Sequence, residues 1–375
     1  MNLDPALAAL SAALNGAGPG VELLADAGPD GYRVETAADA PQETAAVVRT
    51  SGSTGTPKRT ILPVDALAAS SMATALELGV EGQWLLALPL NYVAGLSVLS
   101  RSLYAGTRPW AMAAGESFTA RAFADAAGEM TDRVRLTSLV PTQLRRLLAD
   151  PEPGTLAALR RFDAILLGGG RAPDALRAEA RRQGLRVRLT YGMSETCGGC
   201  VYDGVPLPGV RAREEDGRLW LGGDVVAGGY LGDPELTAAR FRTDDDGVRW
   251  FRTEDLGDVD AAGVRVHGRA DDVVITGGIK VSAGAVQRVV EAVPGVRDAL
   301  VVGVPDAEWG AAVAALVVGD AEDAAIADAV RSELGAAAVP RRIHRADAVP
   351  LLTNGKPDRR RAVGLLGGTG ESAGA

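Results

Sequence analysis

The sequence predicts an α/β protein: a large N-terminal domain of layered α/β sheets carrying a small antiparallel β subdomain, followed by a smaller, mobile α+β C-terminal domain. Three observations lead there. The chain has 375 residues, more than one hydrophobic core serves, so two domains are expected. From residue 134 apolar strands alternate with helical patterns, the signature of a parallel sheet. Between about 206 and 268 that rhythm gives way to short strands separated by turn clusters such as "EEDGRLWLGG" and "DDDGVRWFR", which reads as a small antiparallel sheet or barrel.

In chain order, the apolar strand "AAVV" (45–48) leads into a polar loop, and a helix is predicted from about Asp65 to Leu78, then the strand "WLLAL" and the turn "PLNY". Next come the strand "VRLTSLV" and the helix "PTQLRRLLAD", whose Pro141 suits a first helical turn. "FDAILLGGG", "APDALRAEARRQG" and "LRVRLTYG" continue the alternation. Ligands gather at the carboxyl ends of parallel strands, where Gly168, Gly169, Gly170 and the run "GMSET" both fall. After "GRADD" come the helix "AGAVQRVVEAV", the strands "DALVVGV" and "AAVAALVVG", the helix "DAAIADAVRSEL" and a last helix beyond Lys356. The expected domains are 1–268 and 272–365, joined by a hinge at 269–271, with 366–375 as a disordered tail.

Composition excludes several classes. A hydrophobic share of 47% with 23% charged residues is that of a globular chain. No apolar run long enough for a membrane span is present. The start "MNLDPALAAL" has no basic region before its apolar stretch, so a secretory signal is not expected and the cytoplasm is. A net charge of −9 speaks against nucleic acid as partner. The cysteines, Cys197 and Cys200, cannot build a disulfide framework, and His267 and His344 are too few for a histidine-rich metal site. Oligomeric state stays open between monomer and homodimer.

The stretch "RTSGSTGTPKRT" sets hydroxyls at Thr50, Ser51, Ser53, Thr54 and Thr56 and glycines at Gly52 and Gly55. Amides and hydroxyls there can surround a polyanion while Lys58 adds a point charge, so phosphate is the expected guest. The spacing is not that of a Walker A loop, because Pro57 precedes Lys58. Only three of the 39 basic residues are lysines, Lys58, Lys280 and Lys356, each in a Gly-rich segment. In a chain that otherwise uses arginine, these are the places where a compact ammonium serves and a planar fork does not.

Taken together, "TSGSTGTPK", "YGMSET", "FRTEDLG", "GRADDVVITGG" and "TNGKPDRR" resemble, in order, the phosphate loop, adenine and magnesium motif, ribose motif, hinge and C-terminal lysine motif of the adenylate-forming enzymes. That family includes acyl-CoA synthetases, carrier-loading adenylation domains and luciferases. The resemblance implies an enzyme that uses ATP and Mg2+ to turn a small carboxylic acid into an acyl-adenylate, then hands the acyl group to CoA. It implies that Thr50 to Lys58 hold the β- and γ-phosphates, Glu195 contacts the metal, Ser194 approaches the α-phosphate, and Tyr191 and Gly192 with Gly168 to Gly170 receive adenine. Asp255 and Arg269 would reach the ribose. Lys356 would be the adenylation catalyst, Asp271 the pivot, and Gly277, Gly278 and Lys280 would face the thiol tunnel. For Glu254 a turn carboxylate is the structural reading.

Two segments, "TSLVPTQLRRLL" and "YGMSETCGGCVYDGVPLPG", are further similar to o-succinylbenzoate:CoA ligases of menaquinone synthesis, which points to that substrate. Asn91, Tyr92, Ser138, Thr142, Gly198 and Gly199 are candidates for the acyl pocket. Where many relatives have an aromatic and a histidine, Asn91 and Tyr92 stand instead, which puts the gating role of that position in doubt. Cys197 and Cys200 are expected to line the pocket instead of exchanging disulfides. The alternatives are loading of a carrier protein or of another acid, a noncatalytic nucleotide sensor, and a kinase, which would yield ADP where an adenylating ligase yields AMP.

Overall fold

A computed structural model of the chain describes residues 1–50, 57–113, 118–149, 151–152, 154–352 and 355–367. It divides into two compact units. The first comprises Met1–Arg213, Trp220–Thr253 and Val259–Val264, the second Glu214–Leu219, Glu254–Asp258 and Arg265–Ala375. The region 206–268, which the sequence assigns to one domain, therefore supplies residues to both.

Within the first unit a seven-stranded sheet runs in the order Val205–Pro206, Gly198–Tyr202, Val187–Met193, Ala164–Leu167, Arg135–Leu139, Gln83–Leu86, Trp110–Ala111. From Trp110–Ala111 to Val187–Met193 neighbouring strands are parallel. Gly198–Tyr202 returns antiparallel on Val187–Met193. The helices Pro141–Ala149 and Asp174–Arg182 are the crossovers that the sequence pattern predicts. Phe123, Leu144, Leu147, Phe162 and Ile165 are fully buried against this sheet. A second sheet is ordered Gly229–Tyr230, Lys58–Pro63, Thr44–Thr50, Val21–Ala25, Tyr32–Thr36.

Several elements depart from the sequence reading. The strand placed at 84–88 is Gln83–Leu86. Helices Asp4–Leu14, Val93–Tyr104 and Ala120–Gly128 are additional. Strand Val187–Met193 takes in the first two residues of the "GMSET" run placed after it, and Ser194–Thr196 forms a single 3-10 turn.

The second unit holds a sheet ordered Ile279–Ser282, Val273–Thr276, Gly310–Gly319, Val296–Asp306, with Arg342–Arg345 parallel to Gly310–Gly319. Alternate residues serve two cores. Val313, Ala315 and Val317 face Val286 and Val290 of helix Ala283–Ala292 and Ile326 of Asp323–Leu334. Ala312, Ala314 and Leu316 face Ala362 and Leu366 of Arg359–Gly367. Cover on both faces is why "AAVAALVVG" reads as an unbroken apolar run. Leu366 is buried in that last helix, so the helix takes in the first two residues assigned to the tail. Among the described residues no helix is long and apolar enough to cross a membrane.

Candidate active site

Ser51, Gly52, Ser53, Thr54, Gly55 and Thr56 lie outside the described residues; their stalk does not. Thr44–Thr50 and Lys58–Pro63 pair antiparallel with Thr50 opposite Lys58 and Arg49 opposite Arg59. Two guanidiniums facing each other at the root of a hairpin repel. The offsetting charge is Glu22, 2% exposed on the neighbouring strand. Its Oε1 accepts from Arg49 Nε at 2.7 Å and its Oε2 from Arg59 Nη2 at 3.3 Å. Arg59 also forks onto Asp39 at 2.6 and 3.1 Å, and its hydrogen bond holds the Asp39 carboxyl below the usual range. Lys58 Nζ sits 5.3 Å from the centroid of the Tyr230 ring.

Gly168 follows strand Ala164–Leu167 and passes so close to the next strand that a Cβ there would lie 2.2 Å from Thr190 Oγ1. Gly169 has φ +76°, open to glycine at no steric cost. Tyr191 and Gly192 end the adjacent strand, and a Cβ at Gly192 would meet Gly198 O at 2.1 Å. At Gly168 and Gly192 the close approach is to a neighbouring strand. Thr196, wholly buried, clasps the turn: its Oγ1 accepts from Met193 N at 3.0 Å and donates to Gly198 O at 2.8 Å. Glu195 is 9% exposed. Its Oε1 accepts from Tyr230 OH at 2.8 Å and its carbonyl from Ala227 N at 2.9 Å. Neighbouring Ser194 is 5% exposed.

Among the described residues no group of three or more His, Cys, Asp or Glu side chains converges to hold a metal ion. Glu195 is the carboxylate of this turn that could hold a divalent ion. Cys197 and Cys200 are fully buried and unbonded to each other. Burial pushes the Cys200 thiol up to about 12 and the Cys197 thiol further, so neither offers a thiolate. Cys197 O accepts from Ser70 Oγ at 3.1 Å and Ser97 Oγ at 3.4 Å, which fixes the turn that carries Gly198 and Gly199.

Of the weaker acyl-pocket candidates, Ser138 is 8% exposed in strand Arg135–Leu139, while Asn91 precedes Tyr92, the residue before helix Val93–Tyr104. Sequence reasoning missed one pocket of this unit. Helices Val64–Leu78 and Val93–Tyr104 enclose about 610 Å³ walled by Ala68, Met72, Ala75, Trp84 and Tyr104. Arg101 lines it, 7% exposed, its guanidinium 5.2 Å from the Trp84 ring centroid and its Nε without a hydrogen-bond partner among the described residues. A buried cation facing an apolar hollow is costly unless something anionic enters.

In the second unit Asp255 is 8% exposed and lies 3.8 Å from Arg269 Nη1. Arg269 also forks onto Asp271, Nε to Oδ1 and Nη2 to Oδ2, both at 2.8 Å. Burial raises the Asp271 carboxyl, but the Arg269 hydrogen bonds and charge outweigh it and leave it below the usual range. The expected ribose pair and pivot are thus one ion-paired group. Glu254, expected in a turn, is mid-strand and held by Arg218 Nη1 at 2.6 Å. Gly277 and Gly278 turn the hairpin Val273–Thr276 to Ile279–Ser282 at φ +56° and +80°, with Gly277 packed under Trp309 and Lys280 exposed beside it. Lys356 is exposed, and its carbonyl accepts from Leu352 N at 2.8 Å.

Residues 9–231 match the family model "AMP-binding enzyme" and residues 285–356 the "AMP-binding enzyme C-terminal domain". The chain is 40% identical over 337 residues to "Probable 2-succinylbenzoate--CoA ligase" of Mycobacterium tuberculosis, covering 87% of this chain and 85% of that protein. It is 34% identical over 306 residues to 2-succinylbenzoate--CoA ligase of Salmonella typhimurium, covering 78% and 63%. Among solved structures it is similar to ATP-bound MatB from Rhodopseudomonas palustris (TM-score 0.73, 29% identity, 91% of this chain and 69% of that one). It is also similar to o-succinylbenzoate CoA synthetase from Bacillus subtilis in complex with its acyl-adenylate intermediate (TM-score 0.70, 28% identity, 88% and 70%). With more than half its length matched by one family model and a relative at 40% identity over most of both chains, the protein belongs to the AMP-binding enzyme family.

Proposed function

We propose that the protein is an AMP-forming 2-succinylbenzoate–CoA ligase of menaquinone biosynthesis. A carboxylate oxygen of the acid attacks the α-phosphorus of ATP and pyrophosphate leaves; the thiol of CoA, giving up its proton, then attacks the acyl carbon and AMP leaves. Thr50 to Lys58 cradle the β- and γ-phosphates, the Gly168 to Gly170 turn and Tyr191 receive adenine, and Asp255 accepts the ribose hydroxyls beside Arg269. Glu195 would hold Mg2+, which would supply positive charge to the phosphates. Lys356 supplies the ammonium that bridges attacking carboxylate and phosphate while charge shifts between them. Asp271 is the pivot and the Gly277 to Lys280 hairpin the thiol-facing edge. ATP and CoA as co-substrates place the work in the cytoplasm.

The observation that carries the substrate class is Arg101. 2-Succinylbenzoate has two carboxylates; one is activated, and the other must be bound. An arginine 7% exposed, its Nε without a partner among the described residues, in an apolar pocket of about 610 Å³ suits a planar aromatic body carrying a second carboxylate.

The test is a panel of 2-succinylbenzoate, benzoate, 4-coumarate and octanoate with ATP and CoA, reading AMP and thioester, on wild type and Arg101→Met. Loss of a charge-assisted contact costs about 2–4 kcal/mol, so kcat/KM for the dicarboxylate should fall roughly 30- to 1,000-fold. Turnover of monocarboxylates should hardly change. A preference for octanoate, or an Arg101→Met enzyme as active on the dicarboxylate as wild type, refutes the substrate assignment; ADP as product refutes the chemistry.

A further inference from the structure

We infer that Tyr230 is a positioning residue that sets the metal-facing carboxylate and the phosphate-loop cation with one side chain; this rests on the proposed reading of Glu195 and Lys58. Tyr230 is 4% exposed. Its hydroxyl donates to Glu195 Oε1 at 2.8 Å, and its ring lies 5.3 Å below Lys58 Nζ. A carboxylate with one oxygen occupied by a fixed donor has its rotation settled, and the other oxygen is left for a cation. The electron-rich ring face attracts the ammonium, so the same side chain that holds Glu195 also helps to place Lys58.

The placement of Tyr230 is fixed from several sides. The two-residue strand Gly229–Tyr230 pairs with the strand that leaves the phosphate loop, Gly229 opposite Ile61 and Tyr230 opposite Thr60. Thr237 Oγ1 accepts from Tyr230 N at 2.9 Å, and the ring packs edge-on against Phe241 at 5.4 Å and 70°. Gly229 has φ +133°, and a Cβ there would strike Thr237 Cγ2 at 2.5 Å. Arg249 donates to the carbonyls of Ala227 and Gly228 at 2.9 and 2.7 Å, while Ala227 N holds the Glu195 carbonyl. The segment 227–230 therefore grips Glu195 by main chain and side chain. A purely structural tyrosine would need only the ring packing.

The test compares wild type with Tyr230→Phe, Tyr230→Leu and Glu195→Gln by equilibrium binding of ATP, calorimetrically, at stepped Mg2+ and Mn2+ concentrations, with thermal melts alongside. Tyr230→Phe keeps ring and packing; it should raise the ion concentration for half-maximal ATP binding about tenfold, the scale of losing a residue behind a metal ligand, and leave affinity at saturating ion within about twofold. Tyr230→Leu should raise the ion requirement similarly and also weaken ATP binding at saturating ion about fivefold, from loss of the ring under Lys58. If Tyr230→Phe matches wild type in ion requirement while Glu195→Gln raises it, the positioning role is overturned and the proposed function stands. If Glu195→Gln leaves the ion requirement unchanged, the reading of Glu195 falls and this inference falls with it.

Discussion

Glu22→Gln is the substitution whose cost the geometry makes plainest. The carboxylate is 3% exposed at its side chain and is shared by Arg49, 47% exposed, and Arg59, 29% exposed. Glutamine has the same shape and keeps one acceptor, but it turns an NH2 towards an arginine fork and leaves two cross-strand guanidiniums without the charge between them. Removing one member of a fully buried pair costs about 3–5 kcal/mol. Both arginine heads reach solvent, which screens their repulsion and brings the cost below that range, to about 2–3 kcal/mol. For a unit of this size each kcal/mol moves Tm by about 2–4 °C, so a drop of about 4–12 °C is expected in a thermal melt. Because the same strands flank the proposed phosphate loop, KM for ATP should rise while KM for the acid stays. A Tm within 1 °C of wild type would show that water reaches Glu22 freely and that the stalk does not depend on it.

Two further outcomes follow from the described sites. Cys197 and Cys200 should resist iodoacetamide at pH 8 in the native protein and react at once in denaturant; rapid native labelling would contradict their burial. Their folded-state pKa values lie above the ordinary thiol value of about 8.5, Cys200 at about 12, so the stability they lend is complete below about pH 8.5 and declines as pH rises towards the folded values, readable in urea melts at pH 7, 9 and 10. Lys356→Ala should slow pyrophosphate release about 10²- to 10³-fold and leave thioester formation from a synthetic acyl-adenylate within about threefold; unchanged pyrophosphate release would remove Lys356 from the adenylation step.

The parts of this protein visible in its sequence share a physical cause: they are patterns with a period, or residue types with one use. Strands from 135 to 193 alternate with amphipathic helices, so their order could be read directly. Helix Val93–Tyr104 could not, because Gly95 through Ser102 are buried without a break and a helix covered on every side shows no stripe. Glu22 in "VELLA" looks like the polar face of a half-exposed strand; only the folded hairpin brings Arg49 and Arg59 to it. Tyr230 and Glu195 are 35 residues apart, and nothing in either neighbourhood announces the pairing.

The arginine-rich composition explains why Lys58 draws attention in the sequence and Arg101 does not. Where arginine occupies nearly every basic position, a lysine is informative, and Lys58 does sit over an aromatic ring beside the motif it was expected to serve. The same substitution pressure hides Arg101, since one arginine among so many carries no signal of its own. What distinguishes it is burial and an unmet donor, properties of the fold and not of the residue type. In a chain that uses arginine almost throughout, a lysine draws attention in the sequence, whereas an arginine is distinguished only by its place in the fold. The Arg101→Met panel is accordingly the measurement that separates a functional arginine from the solvated majority.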